Sequence, residues 1–182
     1  SAAGVRVVEE AQQSGLPVTC DIGVHHLHLT ESAIGFFDSH ARFDPPLRAE
    51  ADRAALRAAA AKGVAAICSD HTPTDADDKA LPFGEAKPGA TGLELLLALT
   101  LQWAREEHLP LDKALARVTC DPAAVCGSPA GHLSVGAPAD LCIFDPEAEW
   151  TVTAESLKSR GKNTPFIGQT LNREEMSLRQ GL

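Results

Sequence analysis

The stretch RAEADRAALRAAAAKGVAAICSD, residues 48–70, decides the fold class of this chain. Its first fifteen residues, 48–62, are rich in Ala, the residue with the lowest free-energy cost in a helix, and Gly63 suits the left-handed backbone that ends many helices. An apolar run over 64–69 then predicts a buried strand, and Asp70 follows directly after it. The stretch therefore predicts a helix followed at once by a strand, with a carboxylate where the strand ends.

The same order of helix, turn and strand occurs once more, near the beginning of the chain. Residues 4–14 carry apolar side chains three residues apart, which predicts a helix, and a short buried strand is predicted over 17–24. Two successive helix–strand units are typical of a parallel α/β sheet, either open or closed into a barrel. Beyond them, the turn-rich stretch 71–91 is predicted to be a functional loop, and helices over 93–108 and 111–118 follow.

The pattern changes at about residue 131, where short strands replace helices. Turn residues separate the predicted strands, which lie at 132–133, 141–144 and 150–152. The first two of these strands flank Gly136 and form a predicted hairpin. We therefore predict an α/β unit over 1–130 and part of a small all-β domain over 131–182.

The composition limits the classes of protein to which the chain can belong. Of its 182 residues, 44% are hydrophobic and 23% are charged, which excludes intrinsic disorder, and no apolar run approaches the roughly 18 residues of a membrane span. A net charge of −9 argues against a nucleic-acid surface, which needs clustered Lys and Arg. Five cysteines without CxxC spacing favour reduced thiols and a cytoplasmic protein. The sequence begins at Ser1, without an initiator Met or a signal peptide, so we expect it to be an interior part of a longer chain.

Asp70 is the first candidate for chemistry, because it stands where a predicted strand ends and the longest loop begins. Ligands of parallel α/β sheets bind beyond the carboxyl ends of the strands. A carboxylate at that place could hold a divalent metal or a water molecule. The alternative is an Asp that only caps the turn, and the strand context leaves both interpretations open.

Three histidines follow the other predicted strand, at positions 25, 26 and 28. Alternation along a strand would put His26 and His28 on one face, where two neutral imidazoles could bind zinc. A structural zinc site usually needs four ligands, however, and no Cys or carboxylate at ligand spacing accompanies them. The favoured interpretation is that these histidines fill a polar loop beyond the strand.

Two further segments carry weaker signals. Asp44 precedes two prolines, which favour extended backbone and would hold the carboxylate rigidly. The backbone amides of 85–92 lie just before a predicted helix and could receive an anion, although Gly89 and Gly92 could equally serve turn geometry.

Several short motifs occur in a fixed order along the chain. They are Pro17-Val18-Thr19-Cys20 in loose form, His25-His26-Leu27, Pro45-Pro46-Leu47-Arg48, Ser69-Asp70-His71, Pro88-Gly89 with Gly92-Leu93-Glu94, Gly136-Ala137-Pro138-Ala139-Asp140-Leu141 and Asn163-Thr164-Pro165-Phe166-Ile167-Gly168. Class I dihydroorotases of the amidohydrolase superfamily have such motifs in the same order, and the chain resembles the C-terminal part of those proteins. No single motif is decisive, but the ordered set is specific and extends over nearly the whole chain.

This resemblance implies the C-terminal part of a (β/α)₈ TIM-type barrel together with part of a small all-β domain. It implies a zinc enzyme of pyrimidine biosynthesis that reversibly hydrolyses the cyclic amide of dihydroorotate to N-carbamoyl-aspartate. Asp70 would be both a metal ligand and the catalytic base, which takes a proton from the hydroxide and gives it to the leaving ring nitrogen. Contacts to the substrate would come from Asp44, Thr74, Pro88 and Gly89, and the other zinc ligands would lie upstream of Ser1.

Two residues depart from the family pattern. The family usually has Asn at the position of Asp44 and His at the position of Thr74. A carboxylate at position 44 would repel an anionic substrate unless it were protonated or paired. An alternative is therefore a non-catalytic dihydroorotase-like subunit that supports aspartate carbamoyltransferase, although the retained Asp70 favours the enzyme. Another cyclic amidase, such as a hydantoinase or an allantoinase, is a third alternative, but the Asp-Pro-Pro-Leu-Arg segment and the double His favour dihydroorotase.

Overall fold

The computed structural model of the chain describes residues 1–137, 140–172 and 177–179. Six α-helices occur in this part: α1 (Ala2–Gln13), α2 (Glu50–Lys62), α3 (Ala76–Ala80), α4 (Leu96–Glu106), α5 (Leu111–Ala116) and α6 (Cys120–Cys126). The six described strands are β1 (Asp21–Gly23), β2 (Ala66–Cys68), β3 (Leu141–Ile143), β4 (Glu149–Thr151), β5 (Thr170–Asn172) and β6 (Ser177–Arg179). Single turns of 3₁₀-helix lie at Val24–Leu27, Glu31–Ile34, Ser39–Ala41 and Leu93–Leu95.

Helix α2 and strand β2 form as their composition predicts. The helix ends at Gly63, whose φ of 81° is left-handed and allows its amide to bond to carbonyls of the last turn. Strand β2 begins three residues later and pairs with β1 in parallel, with Ile22 opposite Ile67. The predicted parallel pairing of the two helix–strand units is therefore confirmed. Since the two strands run in the same direction, their carboxyl ends lie side by side.

One hydrophobic core underlies this sheet and unites its strands with the helices. Helix α4 supplies Trp103 and Leu99, both without exposed surface, and they belong to the same cluster as Ile22 and Ile67. The segment after residue 150 contributes to the same cluster through Val152, Leu157, Phe166 and Leu171. Strands β1 and β2 are thus packed on one continuous hydrophobic core. The division into units over 1–130 and 131–182 stays a prediction.

The β-rich segment differs from its predicted pairing. Strand β3 pairs with β6 and β4 pairs with β5, both antiparallel. Residues 132–133 are not a strand, so the hairpin predicted around Gly136 is wrong. Its failure has a physical reason, because β3 obtains its hydrogen-bond partner from a segment more than thirty residues away. Within the predicted turn, Pro138 and Ala139 lie outside the described residues.

Two negative findings concern the described part of the chain. None of its helices combines the length and the apolar character needed to cross a lipid bilayer. None of the five cysteines, all of which are described, forms a disulfide. Cys142 is exposed on β3.

Candidate active site

Asp70 lies just beyond the carboxyl end of β2, beside the end of β1. Its φ of 45° is left-handed, an uncommon backbone for a residue with a side chain. The carboxylate passes over Gly23: a Cβ built on that glycine would lie 3.2 Å from both Cβ and Oδ2 of Asp70. The absence of a side chain at position 23 therefore leaves room for the Asp70 carboxylate at the ends of both strands.

A cavity of about 320 Å³ opens at this place. Its acidic wall consists of Asp21 and Asp70 and includes the thiol of Cys68, and two guanidinium groups, those of Arg48 and Arg53, line it as well. Burial, followed by a hydrogen bond with the Asp21 carboxylate, raises the pKa of Cys68 to about 12. Cys68 is therefore a neutral thiol at physiological pH and unsuited to act as a nucleophile. The carboxylates of Asp21 and Asp70 and the imidazole of His26 are the side chains in this cavity that can bind a cation or accept a proton.

The three histidines have separate partners, and His25 and His26 are buried while His28 is half-buried. Residues 24–27 form a 3₁₀ turn, where strand alternation does not apply, and His28 follows directly after it. Each Nε2 lies near a different carbonyl oxygen: Thr91 for His25 at 3.4 Å, Pro45 for His26 at 2.9 Å and Leu99 for His28 at 2.9 Å. The placement of His26 and His28 on one face is therefore wrong, and so is the interpretation of all three as filling of a polar loop.

Among the three histidines, His26 is the one whose place in the candidate site the sequence does not predict. It lines the same cavity as Asp70. Its Nδ1 lies 3.2 Å from the position that a Cβ on Gly23 would occupy, the same distance as Oδ2 of Asp70. The double His after a strand was the signal that could have identified it.

The backbone amides before α4 are occupied by other groups of the chain. Nδ1 of His71 accepts hydrogen bonds from the amides of Gly92 at 3.2 Å and Leu93 at 3.1 Å. The Gly89 amide donates to the carbonyl of Arg42. These three amides are therefore already satisfied within the chain, and turn geometry explains Gly89, whose φ is 102° and where a Cβ would lie 2.5 Å from Cβ of Thr72.

None of the four residues predicted to contact the substrate lines the cavity beside Asp70. Asp44 is exposed, next to the cavity-lining Pro45, and its carboxylate has no cationic partner among the described residues. The hydroxyl oxygen of Thr74 is buried and has no hydrogen-bond partner within the described ranges. Pro88 is half-buried and Gly89 is buried. They lie in the second arm of the 71–91 loop, and Thr74 lies in the first.

The side chain of Asn163 joins the two arms of the 71–91 loop. It is 4% exposed and bonds to Thr74 on one arm and to Gly89 on the other. Asn163 belongs to the motif over 163–168, for which the sequence predicts no role.

A metal site is not complete within the described part of the chain, where no three His, Cys, Asp or Glu residues converge closely enough to hold an ion. The Asp70 carboxylate does fit as one ligand, because hard oxygen donors suit divalent cations and this one faces a cavity.

Comparison with known proteins places these features in a family context. The sequence model of the amidohydrolase family matches residues 15–171. A dihydroorotase-like protein of Pseudomonas aeruginosa is 46% identical over 172 residues, which are 94% of this chain and 40% of that protein. The dihydroorotase of Geotalea daltonii is 39% identical over 168 residues, 92% of this chain and 40% of the relative. The chain thus spans about 40% of the length of these curated relatives.

Solved structures of two cyclic-amide hydrolases share the backbone of this chain. The L-hydantoinase of Arthrobacter aurescens superimposes with a TM-score of 0.87 at 26% identity, covering 100% of this chain and 44% of the enzyme. A dihydroorotase of Saccharomyces cerevisiae, in complex with 5-fluoroorotic acid, gives a TM-score of 0.77 at 19% identity and covers 100% of this chain and 50% of that one. The second likeness concerns the fold alone.

Proposed function

This chain belongs to the amidohydrolase family, and from that premise we propose that the protein containing it is a zinc-dependent dihydroorotase of the cytoplasm. It would convert dihydroorotate reversibly to N-carbamoyl-aspartate in pyrimidine biosynthesis. Dihydroorotase-named relatives at 39% to 41% identity support this substrate over a hydantoin, for which the likeness is 26%. The TM-score of 0.87 supports the further proposal that β1 and β2 are neighbouring strands of a (β/α)₈ barrel.

The observation that carries the proposal is the position of Asp70. Asp70 stands at the carboxyl end of a parallel strand and lines a cavity large enough for a small cyclic amide, and Gly23 leaves room for its carboxylate. Active sites of barrel enzymes occupy this face of the sheet, where loops from several strands meet.

Asp70 would contribute one zinc ligand, and the remaining ligands would come from the part of the protein outside this chain. When bound, zinc would supply Lewis-acid activation of water at neutral pH. The chain's own contribution is proton transfer: the Asp70 carboxylate would accept the proton of the attacking water and deliver it to the amide nitrogen as the ring opens. The water adds to the ring carbonyl carbon, the carbon–nitrogen bond breaks, and the proton leaves with the nitrogen.

Substrate binding would involve Asp44, Thr74, Pro88 and Gly89. The unpartnered hydroxyl of Thr74 supports this role, since a polar ligand group could satisfy it. Because Asp44 has no cation beside it among the described residues, its carboxylate would weaken the binding of the anionic substrate.

The test is the turnover of dihydroorotate by the complete zinc-loaded protein and by its Asp70→Asn variant. We expect the substitution to lower kcat by about 10³-fold, because the amide keeps the shape of the side chain but cannot take up a proton. Asp21→Asn is the matched control: that carboxylate lines the same cavity, but at the opposite end of its strand, and its loss should change kcat less than about threefold. Equal activities of the Asp70→Asn variant and the unsubstituted protein would exclude Asp70 as the base.

A second candidate function is a non-catalytic subunit that supports aspartate carbamoyltransferase. Two relatives, at 46% and 45% identity, carry the name dihydroorotase-like protein, and Asp44 and Thr74 replace family substrate contacts. This candidate predicts that the complete protein turns over dihydroorotate no faster than its Asp70→Asn variant and co-elutes with the aspartate carbamoyltransferase of its own organism. Turnover of hydantoin or allantoin in preference to dihydroorotate would instead favour another cyclic amidase.

A further inference from the structure

We propose that Asn163 is a positioning residue that holds the two arms of the 72–91 loop at the spacing that substrate binding requires. In this respect the inference rests on the proposed function, since Thr74 on one arm and Gly89 on the other are the proposed substrate contacts. The geometric part, that one buried amide couples the arms, is independent of the substrate.

All four hydrogen-bonding positions of the Asn163 side chain are used, and they divide between the arms. On the first arm, Oδ1 accepts from the Thr74 amide at 2.9 Å and Nδ2 donates to the Thr72 carbonyl at 3.0 Å. On the second arm, Oδ1 accepts from the Thr91 hydroxyl at 3.2 Å and Nδ2 donates to the Gly89 carbonyl at 3.2 Å. The Asn163 backbone carbonyl accepts a further bond from the Thr91 amide at 2.8 Å.

These partners specify a carboxamide. The Thr74 amide can only donate and the Thr72 and Gly89 carbonyls can only accept, so the site needs an acceptor and a double donor on one planar group. A carboxylate of the same shape would keep the acceptor but would bring an oxygen against two carbonyl oxygens. Gly161 lies close against this amide, because a Cβ on Gly161 would lie 2.8 Å from Oδ1 of Asn163.

The position of Asn163 relative to Asp70 separates binding from chemistry. Asn163 bonds to the loop arms and forms no hydrogen bond with Asp70, and both are described residues; Asp70 lies at the strand end before the loop. Loss of the amide should therefore disturb substrate contacts at Thr74 and Gly89 and leave the proposed base in place. The expected signature is a higher KM with little change in kcat.

The first experiment uses the complete unsubstituted protein and measures amide hydrogen exchange at single residues. The Thr74 amide, bonded to Asn163, should exchange about 100-fold more slowly than that of Asp75, which has no acceptor among the described residues. Equal exchange at the two positions would overturn the proposal, whatever the protein's activity.

The second experiment compares Asn163→Asp with Asn172→Asp, the same change at the other Asn of the chain, in β5. Asn163→Asp should raise KM for dihydroorotate about tenfold, keep kcat within about twofold and speed exchange over 72–91, and Asn172→Asp should change none of these. A fall in kcat at constant KM, or exchange equal to that of the control, would contradict the proposal.

If the unsubstituted protein does not hydrolyse dihydroorotate, the proposed function fails, and the exchange measurements alone decide whether Asn163 couples the two arms. If Asn163→Asp does not fold, the exchange of the unsubstituted protein decides.

Discussion

Acidification should destabilise this fold through His25, a fully buried imidazole. Burial, opposed by a hydrogen bond to the Thr91 carbonyl and reinforced by three neighbouring histidines, lowers the pKa of His25 from 6.5 to about 4. Its Nε2 lies 3.4 Å from the Thr91 carbonyl oxygen, and its Nδ1 is buried without a partner in the described part of the chain. Protonation at Nδ1 would therefore place a charged donor without an acceptor between the rings of Phe43 and Phe166, whose centroids lie 5.0 Å and 5.9 Å away.

The direction and the size of the change in stability follow from the difference in the pKa of His25 between the folded and the unfolded chain. Because the folded pKa is lower, the unfolded chain binds the proton first, and stability is complete above pH 6.5 and falls as the pH drops towards 4. A difference of 2.5 pKa units corresponds to about 3 kcal/mol at full development, and about 2 kcal/mol of it should be lost between pH 7 and pH 5. Burial also lowers the pKa of His28 to about 4, so the unsubstituted protein should lose stability from both side chains.

The assay is urea denaturation of the complete protein and its His25→Gln variant at pH 7 and pH 5. The glutamine amide can still donate to the Thr91 carbonyl but does not titrate in this range. We expect the variant to lose about 2 kcal/mol less than the unsubstituted protein over this interval, with the His28 contribution unchanged in both. His132→Gln, which removes an exposed imidazole, should behave like the unsubstituted protein. A pH-dependent loss that is the same with and without His25 would refute the reasoning.

Two further substitutions test the packing around the site. Arg57 is buried, and Arg57→Met removes its bond to the Leu27 carbonyl and its ion pairs with the exposed carboxylates of Glu106 at 3.0 Å and Glu107 at 2.5 Å. The variant should lower the free energy of unfolding by about 1–2 kcal/mol in urea denaturation, because solvent screens the exposed carboxylates. A loss below about 0.5 kcal/mol would mean that these contacts contribute nothing net. Gly89→Ala should cost about 2 kcal/mol, because its φ is 102° and the new Cβ would approach Thr72 to 2.5 Å. Gly84→Ala, where no atom lies within 4 Å of the new Cβ, should change thermal stability little, and equal losses in both variants would contradict the steric argument.

Local composition predicted the helix–strand units closely. The predicted helix over 48–62 is found as α2 over Glu50–Lys62, and the strand predicted over 64–69 contains β2. Both depend on interactions within a few residues, namely the helical preference of Ala and the left-handed Gly63. Asp70 could likewise be placed at the strand end, because the order of helix, strand and polar residue is a property of the sequence.

Contacts between distant segments could not be predicted in this way. The pairing of β3 with β6, the burial of His25 and the closeness of His26 to Asp70 all depend on how separate elements pack. The histidines lie in a 3₁₀ turn and at its end, so the two-residue period considered for His26 and His28 does not apply.

The sequence by itself determined the helix–strand order, the family resemblance and the position of one carboxylate at the end of a strand, since each is written in neighbouring residues. Only the tertiary structure decided that Asn163 joins Thr74 and Gly89, from which it is separated by 89 and 74 residues. The physical reason is that a buried amide must find its donors and acceptors wherever the folded backbone brings them, and no local pattern specifies which carbonyls those are.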